Sequence, residues 1–256
     1  MNFSEKLQEY YSSGYEKTRL TSDKAHSIEF LTTVHYLDEI LPSNTKVLDC
    51  CAGGGIYSYY LAERGFRVTA ADLSAYNVKT IKADKNSELL DGVYNLNVLD
   101  MSVFENENFD VVLCMGAFYH LKTEEERKKC VAECLRVLKK GGLFVLAYIN
   151  RNPCVLYQFW QEPKNIAKQT ELIKTGDNNM FYAVDFDEID KVVEEFSLSK
   201  IKNIGVDGSI YPLQKKINSL NKKRFNDFLN YHFLVCEEPS IIGNSMHGLL
   251  IARKDN

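Results

Sequence analysis

The run Val47-Leu48-Asp49-Cys50-Cys51-Ala52-Gly53-Gly54-Gly55 constrains the fold of this chain more than any other feature. Its first half is short, apolar and rich in strand formers, and it leads directly into three glycines. A strand that enters glycines can turn sharply, and the missing Cβ atoms let a ligand approach the main chain. The helix after the loop carries Ile56, Tyr60 and Leu61 and stops near Gly65, and Arg67 to Asp72 reads as a second strand. The product is a βαβ unit of about thirty residues. Asp72 ends that second strand nineteen residues after Gly53, close to the offset of about 20 at which an acid reaches a ribose diol. Two carboxylate oxygens match two adjacent hydroxyls as acceptors. A plain strand-to-helix turn with a solvated, helix-capping Asp is the alternative.

The alternation of strand and helix continues. Upstream, Asp23 to Leu41 spaces Ile28, Leu31, Val34, Leu37 and Leu41 by threes and fours, from a capping Asp to Pro42, which predicts an amphipathic helix. Downstream come a helix around Ala75 to Lys85, a third strand near Val93 to Leu99, and an apolar fourth from Phe109 to Met115 of the kind buried in parallel sheets. Thr123-Glu124-Glu125-Glu126 is a capping box opening a helix through Val131, Leu135 and Leu138 that stops at Gly141-Gly142, and Leu143 to Ile149 supplies a fifth strand. The expected fold is therefore an α/β, Rossmann-like, doubly wound sheet with its ligands beyond the carboxyl ends of the strands. After Asn150 the pattern loosens. Residues 151–184 and 208–240 read as irregular insertions over that edge, while 185–196 looks helical, 200–206 strand-like, and Met246 to Arg253 is a closing strand.

At 256 residues the chain fits one large domain with insertions, divided as 1–41 N-terminal lid and helix, 42–150 cofactor-binding core, and 151–256 substrate-side insertions and closing strands. Its 31 Lys+Arg against 35 Asp+Glu give a net charge of −4, which argues against a nucleic-acid partner. No apolar run is long enough for a membrane span, and the N-terminus has neither the basic start nor the apolar stretch of a signal peptide, so a cytoplasmic location is expected. The seven cysteines contain no C-x-x-C pair and read as reduced core thiols. Cys130 and Cys134, at i and i+4 with no His or carboxylate at ligand spacing, make a poor metal site, and no metal is expected.

The nucleotide can be narrowed. Gly53-Gly54-Gly55-Ile56-Tyr57-Ser58 satisfies the first two positions of G-x-G-x-x-G but puts Ser58 where a dinucleotide fold wants Gly or Ala, which disfavours NAD. Over residues 25–150 the sequence instead resembles the class I S-adenosylmethionine-dependent methyltransferases. Val47 to Gly55 is similar to the family's first motif, with Asp49 as the acid and Gly53 and Gly55 as the later glycines; Cys51 and Ala52 stand where Gly and Cys are more usual. Asp72, followed by Leu73, occupies the place where the family binds both ribose hydroxyls. In Asn97-Val98-Leu99-Asp100-Met101 the resemblance implies that Asp100 meets the adenine amino group and Met101 offers its backbone amide to the ring. Phe109 to Met115, and Leu135 to Gly142, resemble the fourth strand and the turn before the fifth, placing Met115 beside the cofactor. The N-terminal segment, with Tyr11, Tyr15 and Arg19, resembles the lid of small-molecule members, in which aromatics cover the cofactor and a basic residue meets its carboxylate. That assignment is chemically sensible, because aromatic faces attract a sulfonium and a guanidinium pairs a carboxylate. The tyrosines could equally pack the N-terminal helix on the sheet.

The resemblance implies methyl transfer from S-adenosyl-L-methionine to a small-molecule acceptor by in-line displacement, leaving S-adenosyl-L-homocysteine. Such a site chiefly orients the acceptor and excludes water. A base is needed only if the acceptor must lose a proton. His120, after the fourth strand, is the candidate base, with Tyr119 beside it, although a histidine there can also simply orient a loop. Trp160 and Phe181, in the first insertion, are candidate acceptor contacts or that insertion's own core. His247, before the final strand, has no visible partner in the sequence and reads as structural. The alternatives are a cofactor-binding protein without catalysis, an RNA or protein methyltransferase, and, disfavoured, an NAD-dependent oxidoreductase. Monomer and homodimer are both compatible with the chain.

Overall fold

A computed structural model describes residues 18–177, 180–185 and 188–255. Helix α1 (Lys24–Ile40) begins at Asp23, whose carboxylate accepts from the His26 amide at 2.9 Å, and ends as Leu41 turns extended before Pro42. The chain continues through β1 (Lys46–Asp49), α2 (Ile56–Ala62), β2 (Arg67–Asp72), α3 (Ala75–Ala83), β3 (Gly92–Asn95), β4 (Phe109–Cys114), α4 (Glu124–Val137) and β5 (Leu138–Ile149). It then forms α5 (Arg151–Gln161), α6 (Ile166–Thr175), α7 (Glu188–Glu195), β6 (Leu198–Gly205), α8 (Ile210–Ser219), α9 (Lys222–Val235), α10 (Pro239–Asn244) and β7 (His247–Lys254).

The strands make one seven-stranded sheet in the order β3-β2-β1-β4-β5-β7-β6. All pairs are parallel except those of β7, which runs antiparallel to β5 and β6. Alternate strand residues feed two apolar layers. Val47, Val111 and Val145 pack with Tyr36 and Leu37 of α1 and Leu61 of α2, and Leu48, Val112 and Phe144 pack with Val131 and Leu135 of α4 and Ile189 of α7. Helices on both faces therefore bury both sides of the sheet, the doubly wound, Rossmann-like arrangement. Because β7 is reversed, its first residue, His247, pairs with Ile149 at the carboxyl end of β5. No helix among the described residues is long and apolar enough to cross a membrane.

Several expectations are revised. The third strand stops at Asn95 rather than Leu99, because the Asn95 amide donates to the Asp72 and Leu73 carbonyls and turns the chain away. Helix α4 opens with the expected capping box but ends at Val137. Leu138 is already extended and paired with Phe109, and Gly141-Gly142 lie in a bulge of β5. The two stretches read as irregular hold helices α5, α6, α8, α9 and α10, each of which gives only one to three residues to the core. Six of the seven cysteines are buried and all are free. Cys130 and Cys134 gain Cys114 as a neighbour, the three sulfurs lying within 4.8 Å of one another, a grouping invisible in their spacing.

Gly248 marks a tight approach. The Tyr148 ring, fully buried with its hydroxyl donating to Asn203 at 2.7 Å, lies over it across the β5–β7 pair, and a Cβ there would fall inside the ring. Gly248→Ala is expected to cost about 1–3 kcal/mol of stability through overpacking, seen as a lower urea midpoint at unchanged slope.

Candidate active site

The glycine loop is pinned to the next strand. The Ala52 amide donates to Ala71 O at 2.9 Å and the Gly53 amide to Asp72 Oδ2 at 2.8 Å. Gly53 (φ +55°) and Gly55 (φ +84°) both take the left-handed backbone that favours glycine, and nothing lies within 4 Å of where a Gly53 Cβ would be. Asp72 is buried. Its Oδ1 accepts from the Ser74 amide at 2.8 Å and the Asn77 side chain at 3.1 Å, so three donors aim the carboxylate at the loop. Burial raises its pKa, against the lowering effect of the Ser74, Gly53 and Asn77 donors.

These groups line a cavity of about 270 Å³ at the carboxyl edge of the sheet. Of the residues singled out in the sequence, Arg19, Cys51, Ala52, Gly53, Asp72 and Leu73 line it, as do Met115, Tyr119 and His120 from the segment after β4. The loop after β3 contributes Asn97, Val98 and Leu99. Asp100 does not reach the cavity: its carboxylate accepts from the Ser102 amide, while Met101 is wholly buried in the core. The part of this segment that reaches the cavity is thus Asn97 to Leu99, because β3 ends early and the turn from Asn97 to Asp100 points the acid outward. Asp49 and Gly55 also lie off the cavity wall, Asp49 beneath the loop and Gly55 capping α2. Trp160 is 65% exposed, off the cavity on α5, whose buried residues are Pro153, Cys154 and Val155. Phe181 sits behind the wall, its ring 5.1 Å from His120 and 6.0 Å from Tyr119. Tyr11 and Tyr15 lie outside the described residues.

His120 is a packed histidine. It is buried, its Nδ1 is 3.2 Å from the Met180 carbonyl, and burial pushes its pKa down to about 4. An imidazole so depressed is a weak proton acceptor.

Of the charged part of the wall only Arg19 was assigned from the sequence. Arg19 holds Glu29 in a two-pronged pair at 2.6 and 3.0 Å. Burial pushes Glu29 up, but Arg19 and His247 overcome it and bring the pKa to about 2. His247, expected to lack a partner, has its Nδ1 2.7 Å from Asp207 Oδ2 and 3.4 Å from Glu29 Oε2. Tyr57 and Thr33 complete this side.

Asp49 carries a testable consequence. Ser58 donates to its Oδ2 at 2.7 Å, Oδ1 has no hydrogen-bond partner among the described residues, and burial, aided by the Asp72 charge, raises the pKa to about 7. A carboxyl with a pKa near 3.8 unfolded and about 7 folded penalises the native state progressively as pH rises between those values. Asp49→Asn is therefore expected to gain melting temperature relative to the parent on going from about pH 5 to pH 8; a pH-independent difference would contradict the assignment.

Comparison with known proteins agrees with this geometry. Residues 48–146 match the family described as "Methyltransferase domain". The ubiquinone biosynthesis O-methyltransferase of Psychrobacter cryohalolentis is 37% identical over 111 residues, covering 42% of each chain. The glycine/sarcosine N-methyltransferase of Parasynechococcus marenigrum is 28% identical over 172 residues, covering 66% of this chain and 56% of its own. The chain thus spans about half the length, or less, of these curated relatives. Among solved structures, the N-methyltransferase NodS of Bradyrhizobium japonicum, in complex with S-adenosyl-L-homocysteine, superposes over the whole of both chains with a TM-score of 0.62 at 12% identity, a likeness of fold. The match over residues 48–146, together with the sheet order and the pinned glycine loop, makes this part of the chain similar to the class I, S-adenosylmethionine-dependent methyltransferases.

Proposed function

We propose that the chain transfers a methyl group from S-adenosyl-L-methionine to a small-molecule acceptor. The observation that carries this reading is the buried Asp72 carboxylate aimed at the Gly53 amide on the rim of the cavity. When bound, the cofactor supplies a methyl group already activated on a sulfonium. The residues present fit such a ligand. Asp72 has acceptor capacity left for the ribose hydroxyls, and the bare Gly53 backbone leaves room for the amino-acid portion. Arg19, fixed by Glu29, is the cation for its carboxylate, and Asn97 to Leu99 form the edge for the adenine. Met115, Tyr119 and His120 form the wall that shields the reacting groups from water. The named relatives, one in ubiquinone biosynthesis and one acting on glycine and sarcosine, support a small acceptor, and the net charge of −4 does not suit nucleic acid.

Calorimetric titration tests this directly. The parent should bind S-adenosylmethionine and its demethylated product, and not NAD. Asp72→Asn, which removes the charge while keeping the shape, should weaken binding by roughly tenfold to a hundredfold, and Arg19→Ala by roughly tenfold. Unchanged affinity in Asp72→Asn, or a preference for NAD, would overturn the reading.

A further inference from the structure

The methyltransferase reading leaves one built feature of the cavity unexplained. Asp207, just beyond the end of β6, is wholly buried, and its carboxylate accepts from the Ser245 hydroxyl and the His247 amide as well as from the His247 ring. His247 opens β7 and lines the cavity with Val206, Gly248 and Leu249. Both neighbours of Nδ1 are carboxylates, so Nδ1 carries its proton, and among the described residues Nε2 has no hydrogen-bond partner. A buried acid that fixes a histidine tautomer, and leaves the other nitrogen to a ligand cavity, is how a general base is held in place.

We propose that Asp207 and His247 form a proton-accepting dyad, and that the acceptor is accordingly a hydroxyl compound, such as a phenol, an enol or a hydroxy acid. This rests on the methyltransferase reading above. The acceptor O–H gives its proton to His247 Nε2, the oxygen lone pair forms the new O–C bond, and the C–S bond breaks with its electron pair remaining on sulfur. The sulfonium becomes a neutral thioether, and the proton leaves His247 for solvent. An amine that arrives as its free base needs no proton removed before it attacks, whereas a hydroxyl does, and a hydroxyl is the acceptor to which this dyad is matched. Asp207 acts through His247 and is a positioning residue. The groups facing His247 are Glu29 and Arg19 on the N-terminal side and Asp207 after β6. Around these lie the Tyr57 and Tyr211 hydroxyls, both pushed up chiefly by burial, and His232, pushed down by burial. Burial alone would lower the His247 pKa, but Glu29 and Asp207 more than offset it, so it lies above 6.5.

The test joins a ligand-free readout to turnover. Nitrogen NMR of the ligand-free protein should show His247 as the Nδ1–H tautomer, titrating above about pH 6.5, with its pKa lowered in Asp207→Asn. With S-adenosylmethionine, simple phenols and hydroxy acids led by 3,4-dihydroxybenzoate and lactate are offered beside glycine. Methylation of a hydroxyl probe should rise with pH through the pKa seen by NMR, and the rise should move down in Asp207→Asn. His247→Asn should lose roughly 10²- to 10⁴-fold in kcat, with S-adenosylmethionine affinity within about threefold of the parent. The proposal is overturned by an Nε2–H tautomer, by full turnover in His247→Asn, or by a protein that binds the cofactor but methylates only glycine or no hydroxyl probe. A parent that fails to bind S-adenosylmethionine would overturn the underlying reading instead.

Discussion

The hydrogen bond from the Gly53 amide to Asp72 is the constraint on which the cofactor side of this molecule depends. It joins the loop after β1 to the end of β2, and it exists because both strands stop at the same edge of a parallel sheet. The loop can take that path only with left-handed backbone at Gly53 and Gly55. Burying Asp72 would be unfavourable without its three donors. With them, the carboxylate is held rigid before any ligand arrives, so little ordering remains to be paid on binding.

A second line of charge runs from that half of the cavity to the other. Arg19, Glu29, His247 and Asp207 alternate in sign when His247 is protonated, each in contact with the next. Glu29 belongs to α1, Asp207 follows β6 and His247 opens β7, so the line forms only after the helix docks and the last strand pairs in reverse. It links the proposed carboxylate clamp at Arg19 to the proposed base at His247.

How much of this was legible depends on the range of the interaction that sets it. Helix α1 and the start of α4 were readable because Asp23 and Thr123 cap their own helices within three residues. The central strands were readable because burial on both faces makes them continuous apolar runs, and Asp72 because the βαβ unit fixes its distance from Gly53. The end of β3 was not, since a side-chain bond from Asn95 back to the Asp72 carbonyl decides it, and with it the choice between Asn97 and Asp100 at the cavity. The His247–Asp207 pair spans forty residues and needs the antiparallel β6–β7 register to exist at all. Trp160 misled because α5 turns Pro153, Cys154 and Val155 inward and leaves Trp160 exposed, a choice of face set by tertiary packing and not by the local sequence.

The most direct measurement of the central claim is the crystal structure of the complex with S-adenosyl-L-homocysteine. The account predicts both ribose hydroxyls within hydrogen-bond distance of the Asp72 carboxylate, the amino-acid carboxylate at Arg19, and the sulfur facing the part of the cavity where His247 lies. A ligand bound elsewhere, or bound here with its ribose away from Asp72, would contradict it.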